Sequence, residues 1–278
     1  MKFVEKVLAM PQLKIETIKK ARKKGFYDIQ TSNGKYCISE NLIVEYEILK
    51  DREFDEELFN KIIQKNNKEK LLISVYNYIS YQMRSTKEVV DYLRKKEASI
   101  EDTDNIINKL IEQGYINDEM LSKYILDDVI RNKKGPKYLE NKLKLKGIES
   151  KIIYECVSKY TSLVEEENIA YLINKLKEKN SDLPIKKQKE RIAQKLIRDG
   201  FSSNVVFRLI NITDFDFNGL SKLEEDAVKI IKSIENSKYG SLSSYEKKNK
   251  IVNKLLMKGY EYEDIKNIIS DILLNKNI

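Results

Sequence analysis

The sequence predicts a mainly α-helical protein: a tandem array of three-helix modules in an elongated, curved body, preceded by a small α/β head with a β-hairpin. Nine glycines and three prolines in 278 residues are too few for the many turns of a β-barrel or sandwich. Charged residues make up 35% and apolar residues 41% of the chain, a balance that suits small helical units with thin cores. The third observation is that the chain repeats itself after about residue 70.

The head is predicted to span residues 1–69. Residues 14–18 alternate between polar and apolar side chains as a strand does, and residues 27–31 and 35–39 flank Asn33-Gly34. An Asn-Gly pair between two alternating segments favours a tight hairpin, because both residues tolerate positive φ. Two short helices should follow, over 40–50 and 56–66, with Ser39 and Asp55 as N-caps.

The repeat is visible when the chain is shifted against itself. A shift of 59 residues places 165–210 over 224–269 without a gap and matches Gly200 with Gly259. Shifts of 53 and 50 extend the match to Gly147 and then to Glu97, which replaces the glycine in the first unit. The predicted three-helix units are residues 70–118, 119–161, 162–220 and 221–278.

Within each unit the second helix has clear start and stop signals. Ser85 with Glu88 forms a capping box, and Gly135-Pro136 places proline in a first helical turn. The shared glycine at the end supplies the left-handed conformation of a helix C-cap.

The composition excludes several kinds of chemistry. The chain has no histidine, and Cys37 and Cys156 are far apart in sequence, so a catalytic His, a CxxC pair and a His-ligated zinc site are excluded. No glycine spacing matches a phosphate-binding loop. We therefore expect no catalytic residues, no metal, no cofactor and no enzyme activity. Without a signal-like or membrane-spanning segment, we expect a cytoplasmic protein that makes no membrane contact. We also expect it to be a monomer.

The second helices are basic in every unit, although the net charge of +8 is spread along the whole chain. Lysine also covers solvated helix surfaces well, so an exposed polar face is the alternative interpretation. Recurrence in four units favours a discontinuous basic stripe suited to phosphates or to an acidic protein groove. The candidate contact residues are Arg84, Lys87, Arg94, Arg131, Lys133, Lys134, Lys137, Lys142, Lys195 and Lys254.

Residues 73–160 resemble the RecX family, regulators of the bacterial recombinase RecA. The resemblance rests on the Arg84-Ser85 and Glu88 pattern, on residues 110–118 with their Gly-Tyr-Ile-Asn-Asp link, and on 131–137 with their basic Gly-Pro segment. Glu97 departs from the family, which usually has glycine there. The last two units fit more loosely.

The resemblance implies a protein that acts by binding in homologous recombination, DNA repair and the SOS response. Such a protein lies along the groove of the RecA filament on single-stranded DNA and lowers its recombinase, ATPase and co-protease activities. We also expect weak binding to bare DNA. A stand-alone DNA-binding protein of helix-turn-helix character, using the same basic helices, is the alternative, and a helical scaffold for another partner is the third possibility.

Overall fold

A computed structural model describes residues 12–275 except 238 and 240. Residues 1–11 of the predicted head therefore lie outside the described residues. The chain divides into two compact units, one ending at Leu121 and the other beginning at Ser122. No helix in the described part is both long and apolar enough to cross a membrane.

The head contains a four-stranded antiparallel sheet in the order β3-β2-β1-β4. Its strands are β1 (Gln12–Lys20), β2 (Phe26–Thr31), β3 (Gly34–Ser39) and β4 (Glu53–Asp55). The predicted hairpin is confirmed: β2 pairs with β3 from Phe26↔Ser39 to Thr31↔Gly34. The strand predicted from the alternation of residues 14–18 is also present, within β1. Strand β4 was not predicted, since three residues are too short to show alternation.

Two helices complete the head, α1 (Glu40–Glu45) and the long α2 (Glu56–Ser80). The predicted N-caps are confirmed, because the Ser39 and Asp55 side chains accept hydrogen bonds from backbone amides of the first turn. Helix α1 is shorter than the expected 40–50, because Glu47 adopts a positive φ of 47°, which a right-handed helix cannot contain. The helix expected over 56–66 continues to Ser80, as no glycine or proline interrupts residues 56–80.

Helix α2 contributes to two hydrophobic cores. Near its start, Phe59 and Ile62 are fully buried among the sheet residues, while Val75 is buried in a second cluster with Val89 and Leu93. One continuous helix thus belongs to the head and to the first three-helix set.

The rest of the described chain is helical. Helices α3 (Thr86–Lys95) and α4 (Ile100–Glu112) follow α2, and the remaining nine helices follow in sets of three. These are α5 (Asp118–Arg131), α6 (Pro136–Leu145) and α7 (Ser150–Ser158); α8 (Ser162–Lys179), α9 (Ile185–Arg198) and α10 (Ser203–Ile212); and α11 (Leu220–Glu235), α12 (Ser244–Met257) and α13 (Tyr262–Asn275). The second helices of the predicted repeats are α3, α6, α9 and α12. The Ser85–Glu88 capping box at the start of α3 is present as predicted.

The second residue after the end of each second helix has a left-handed conformation, as predicted for the shared glycine. Gly147, Gly200 and Gly259 have φ of 71°, 93° and 97°, and Glu97 has φ of 58° at the matching position. Glycine reaches this region without strain, whereas a residue with a Cβ does so at a cost. Glu97 therefore holds a glycine conformation without being glycine.

Because Gly135 and Gly200 have no side chains, the backbones of α6 and α9 come into direct contact. A Cβ on Gly135 would lie 2.2 Å from the carbonyl carbon of Gly200, and one on Gly200 would lie 2.4 Å from the backbone nitrogen of Tyr138. Across this contact the Gly135 N–H donates to the Asp199 carbonyl at 2.9 Å and the Lys137 N–H to the Gly200 carbonyl at 3.0 Å. The start of α6 is thereby fixed to the end of α9.

The same arrangement recurs one repeat later, in looser form. A Cβ on Gly259, at the end of α12, would lie 3.5 to 3.6 Å from side-chain carbons of Lys187, Lys186 and Pro184 at the start of α9. In both cases the start of one second helix lies against the glycine that ends the next. These contacts fix the positions of the basic helices α6, α9 and α12 within the compact unit that begins at Ser122.

Candidate functional site

The predicted contact residues fall into two groups. Five cations are exposed: Lys87, Arg94, Arg131, Lys137 and Lys254. The other five, Arg84, Lys133, Lys134, Lys142 and Lys195, are half-buried and contact neighbouring side chains. The sequence alone does not distinguish the two groups, because repeat spacing does not show which acids fold against each cation.

Three of the exposed residues, Lys87, Lys137 and Lys254, make no ion pair within the described residues. Lys87 and Lys137 are also related by the repeat shift of 50 residues, so they hold the same position on α3 and α6. Arg94 and Arg131 each lie 3.4 Å from an acid three residues away, Asp91 and Asp128, yet remain largely exposed. Such exposed pairs contribute little to stability and leave the cations accessible.

Arg84 is built into the first three-helix set. Its guanidinium lies 4.2 Å from the centroid of the Tyr78 ring, and that ring stacks on Tyr92 at 4.3 Å with an interplanar angle of 6°. Its side chain is only 18% exposed and lies 3.7 Å from the Glu88 carboxylate. Arg84 thus joins the end of α2 to α3 through these two half-buried tyrosines.

The Asp199 carboxylate forms ion pairs with two of the predicted contact residues. Lys134 Nζ lies 2.7 Å from one carboxylate oxygen and Lys195 Nζ lies 2.9 Å from the other. Burial alone would raise the pKa of Asp199, but the hydrogen bonds from Lys134 and Lys195 outweigh it and hold the pKa below its usual value. This is a shared, partly buried charge cluster between the segment before α6 and the end of α9.

Lys133 and Lys142 also have specific partners. Lys133, in a left-handed conformation with φ of 54°, donates to the Asn168 side chain at 2.7 Å. Asn168 in turn donates to the Tyr160 hydroxyl, which donates to the Lys134 carbonyl at 2.9 Å. Burial raises the pKa of Tyr160, so its hydroxyl stays a donor. These bonds fix the turn before α6.

Lys142 is paired with an acid on the first helix of the same set. Its Nζ lies 2.9 Å from Asp128, and this bond, with a weaker one from Arg131, lowers the pKa of Asp128. In the sequence, Asp128 stands out only as one of two neighbouring acids. Its role as the partner of Lys142 could not be predicted, because it depends on how α5 packs against α6.

Within residues 12–275, leaving out 238 and 240, no group of three or more Cys, Asp and Glu is arranged to hold a metal ion. Cys156 is a buried free thiol whose Sγ donates to the Ser122 carbonyl, and burial raises its pKa. Of the five exposed cations, four lie on the second helices α3, α6 and α12, and Arg131 lies at the end of α5.

Fold and site together define a basic protein of tandem three-helix modules with a small mixed head. The model of a family described as RecX, first three-helix domain, matches residues 74–110. A regulatory protein RecX of Bacillus pumilus is 33% identical over 84% of this chain and 90% of its own length. One from Streptococcus uberis is 30% identical over 94% of this chain and 100% of its own.

Two solved structures are also similar. A crystal structure of a regulatory protein RecX has a TM-score of 0.54 and 26% identity, covering 72% of this chain and 99% of that one. The structure of RecX from Lactobacillus salivarius has a TM-score of 0.50 and 30% identity, covering 53% and 96%. The chain belongs to the RecX family of regulatory proteins.

Proposed function

We propose that this protein binds the RecA filament on single-stranded DNA and lowers its recombinase, ATPase and co-protease activities. It acts by binding rather than catalysis, as a cytoplasmic monomer with weak affinity for bare DNA. The observation that carries the proposal is that Lys87, Lys137 and Lys254 are exposed on the equivalent second helices α3, α6 and α12. Such cations suit a phosphate backbone or an acidic groove wall.

The exposed cations make the contact, and the packed ones position the helices that carry them. Lys87, Lys137 and Lys254 are the principal contacts, since they are exposed and have no ion pair within the described residues. Arg94 and Arg131 assist them. Arg84, Lys133, Lys134, Lys142 and Lys195 direct their polar atoms to partners within the protein and act through the geometry of α3, α6 and α9.

The units with predicted bounds 70–118, 119–161, 162–220 and 221–278 act as successive contact modules behind the head at 1–69. Four modules of about 20–25 Å each, built from helices that rise 1.5 Å per residue, would extend over more than one filament subunit. Small-angle X-ray scattering tests this part separately. A radius of gyration typical of a compact globule of this length would contradict it.

The first experiment is ATP hydrolysis by RecA on single-stranded DNA with this protein titrated in at fixed salt. Free DNA is kept in excess, so that competition for DNA cannot mimic an effect on the filament. A fall in hydrolysis well below one molecule per RecA is expected. An unchanged rate up to an equimolar ratio would overturn the proposal.

Matched variants then test the surface. A triple variant K87Q/K137Q/K254Q should bind the filament more weakly, and the slope of log affinity against log salt should fall by about 0.7–0.9 for each phosphate that is no longer neutralised. The control K109Q/K123Q/K151Q changes the net charge equally on exposed lysines of α4, α5 and α7 and should bind normally. Equal binding by both variants would show that Lys87, Lys137 and Lys254 do not form the binding surface. Tight, sequence-selective binding to bare duplex would instead favour a stand-alone DNA-binding protein.

A further inference from the structure

The last three-helix set contains an open groove on its side. The groove has a volume of about 440 Å³ and lies among α11, α12 and α13. Its floor is aliphatic, with Ile231, Ile251, Ile269 and Ile272. Its rim is polar and carries Ser244, Tyr245, Lys247, Lys248 and Glu235.

The preceding set shows what such a groove accepts. After α10 ends at Ile212, the segment Asp214-Phe215-Asp216 returns across the helices, and Phe215 is buried in one cluster with Ile192 and Ile210. The repeat shift of 59 residues matches these two isoleucines with Ile251 and Ile269 of the open groove. An acidic aromatic segment therefore occupies the corresponding place in α8–α10.

The polar contacts of that segment also have counterparts in the groove. Lys189 Nζ lies 5.4 Å from the centroid of the Phe215 ring, and the Gln188 side-chain amide donates to the Asp216 carbonyl at 2.7 Å. The same shift matches Lys189 with Lys248 and Gln188 with Lys247. At the rim of the groove, Lys248 and Lys247 therefore occupy the positions equivalent to the cation and the amide donor that contact the internal segment.

The last set has no returning segment among its described residues. Helix α10 ends at Ile212, whereas the matching helix α13 continues to Asn275, beyond the position equivalent to Phe215. In the fourth repeat, the residues that correspond in sequence to the returning segment therefore belong to helix α13. The side chains that match the surroundings of Phe215 line an open groove instead.

We propose that this groove binds a short acidic segment of a partner protein that carries an aromatic side chain between two carboxylates. The aromatic ring enters between Ile251 and Ile269, as Phe215 does in the preceding set. Lys248 lies over the ring and Lys247 reaches the flanking carboxylate or carbonyl. Burial of the ring supplies the affinity, and the lysines select an acidic sequence. This inference does not depend on the proposed filament contact.

Nuclear magnetic resonance on the isotope-labelled full chain tests the groove without any RecA. The probe is a synthetic peptide with Asp-Phe-Asp between glycine-serine flanks, titrated to millimolar concentration. Saturable shifts of backbone signals from Ile231, Lys248 and Ile251 are expected, with little change in α3–α7. Peptides with Asp-Ala-Asp or Asn-Phe-Asn in the centre should bind more weakly. An equal response to Asp-Ala-Asp, or no shift of these signals, would overturn the proposal.

Protein variants complete the test. Lys248→Glu reverses an exposed rim charge and should weaken peptide binding by about fivefold, the effect of about 1 kcal/mol. Ile231→Ala removes part of the floor and should weaken it further. Lys254→Glu carries the same charge change on α12 outside the groove and should bind the peptide normally, while binding the filament more weakly. Peptide binding that ignores Lys248→Glu but responds to Lys254→Glu would place the peptide elsewhere and reject the groove.

Discussion

Lys134 Nζ lies 2.7 Å from Asp199 Oδ1, and this contact ties the segment before α6 to the end of α9. The Asp199 backbone takes part as well, because its carbonyl accepts from the Gly135 N–H at 2.9 Å. Lys195 pairs with the other carboxylate oxygen at 2.9 Å. A single residue thus joins two repeats by its side chain and its backbone.

Asp199→Asn should destabilise the protein. The Asp199 side chain is only 13% exposed, and the amide cannot balance the charges of Lys134 and Lys195. We expect a loss of about 1.5–3 kcal/mol in the free energy of unfolding, the range for hydrogen bonds to charged groups. Urea denaturation measures it. Asp91→Asn, which removes only the exposed pair with Arg94, is the control and should change stability by less than about 0.5 kcal/mol.

The stability difference between the wild type and Asp199→Asn should also depend on pH. The folded-state pKa of Asp199 is held below its usual value, so ionised Asp199 stabilises the fold above the unfolded-state pKa. That stabilisation is lost as pH falls through the folded-state pKa. The stability difference between the wild type and Asp199→Asn should therefore be constant near neutral pH and shrink below about pH 4. Urea titrations from about pH 7 to about pH 3 span this range, and a difference that grows on acidification would contradict the prediction.

The sequence predicts much of this fold and less of the site. The Asn33-Gly34 hairpin, the Ser85–Glu88 capping box and the left-handed glycines after the second helices could be predicted, because each depends on residues that are neighbours in the sequence. The pairing of Asp199 with Lys134 is not, because the two residues are 65 positions apart and meet only when α6 docks on α9. Repeat spacing showed that the second helices are basic, whereas tertiary packing decides which lysines remain available.

Glu97→Gly should stabilise the protein. Glu97 has φ of 58° and an exposed side chain, so the variant relieves backbone strain without removing a buried contact. The left-handed conformation costs a residue with a Cβ about 1–2 kcal/mol, and part of that should appear as increased stability. Glu97→Ala retains the strain and serves as the control. Equal unfolding free energies for the two variants would show that the position carries no strain.

Gly135→Ala should destabilise the second unit through the contact with α9 alone. Gly135 has φ of −82°, which any residue adopts, so the new methyl group causes no backbone strain of its own. It would lie 2.2 Å from the Gly200 carbonyl carbon, and backbone atoms on both sides must separate to accommodate it. We expect a loss of about 1–3 kcal/mol, typical of overpacked sites.

Gly114→Ala is the matched control: it has φ of 73° and open space around it, so it reports the cost of backbone conformation without a clash. Thermal and urea unfolding of both variants compare the two costs. If Gly135→Ala unfolds like the wild type, the α6–α9 contact is not tight enough to hold the basic helices in place.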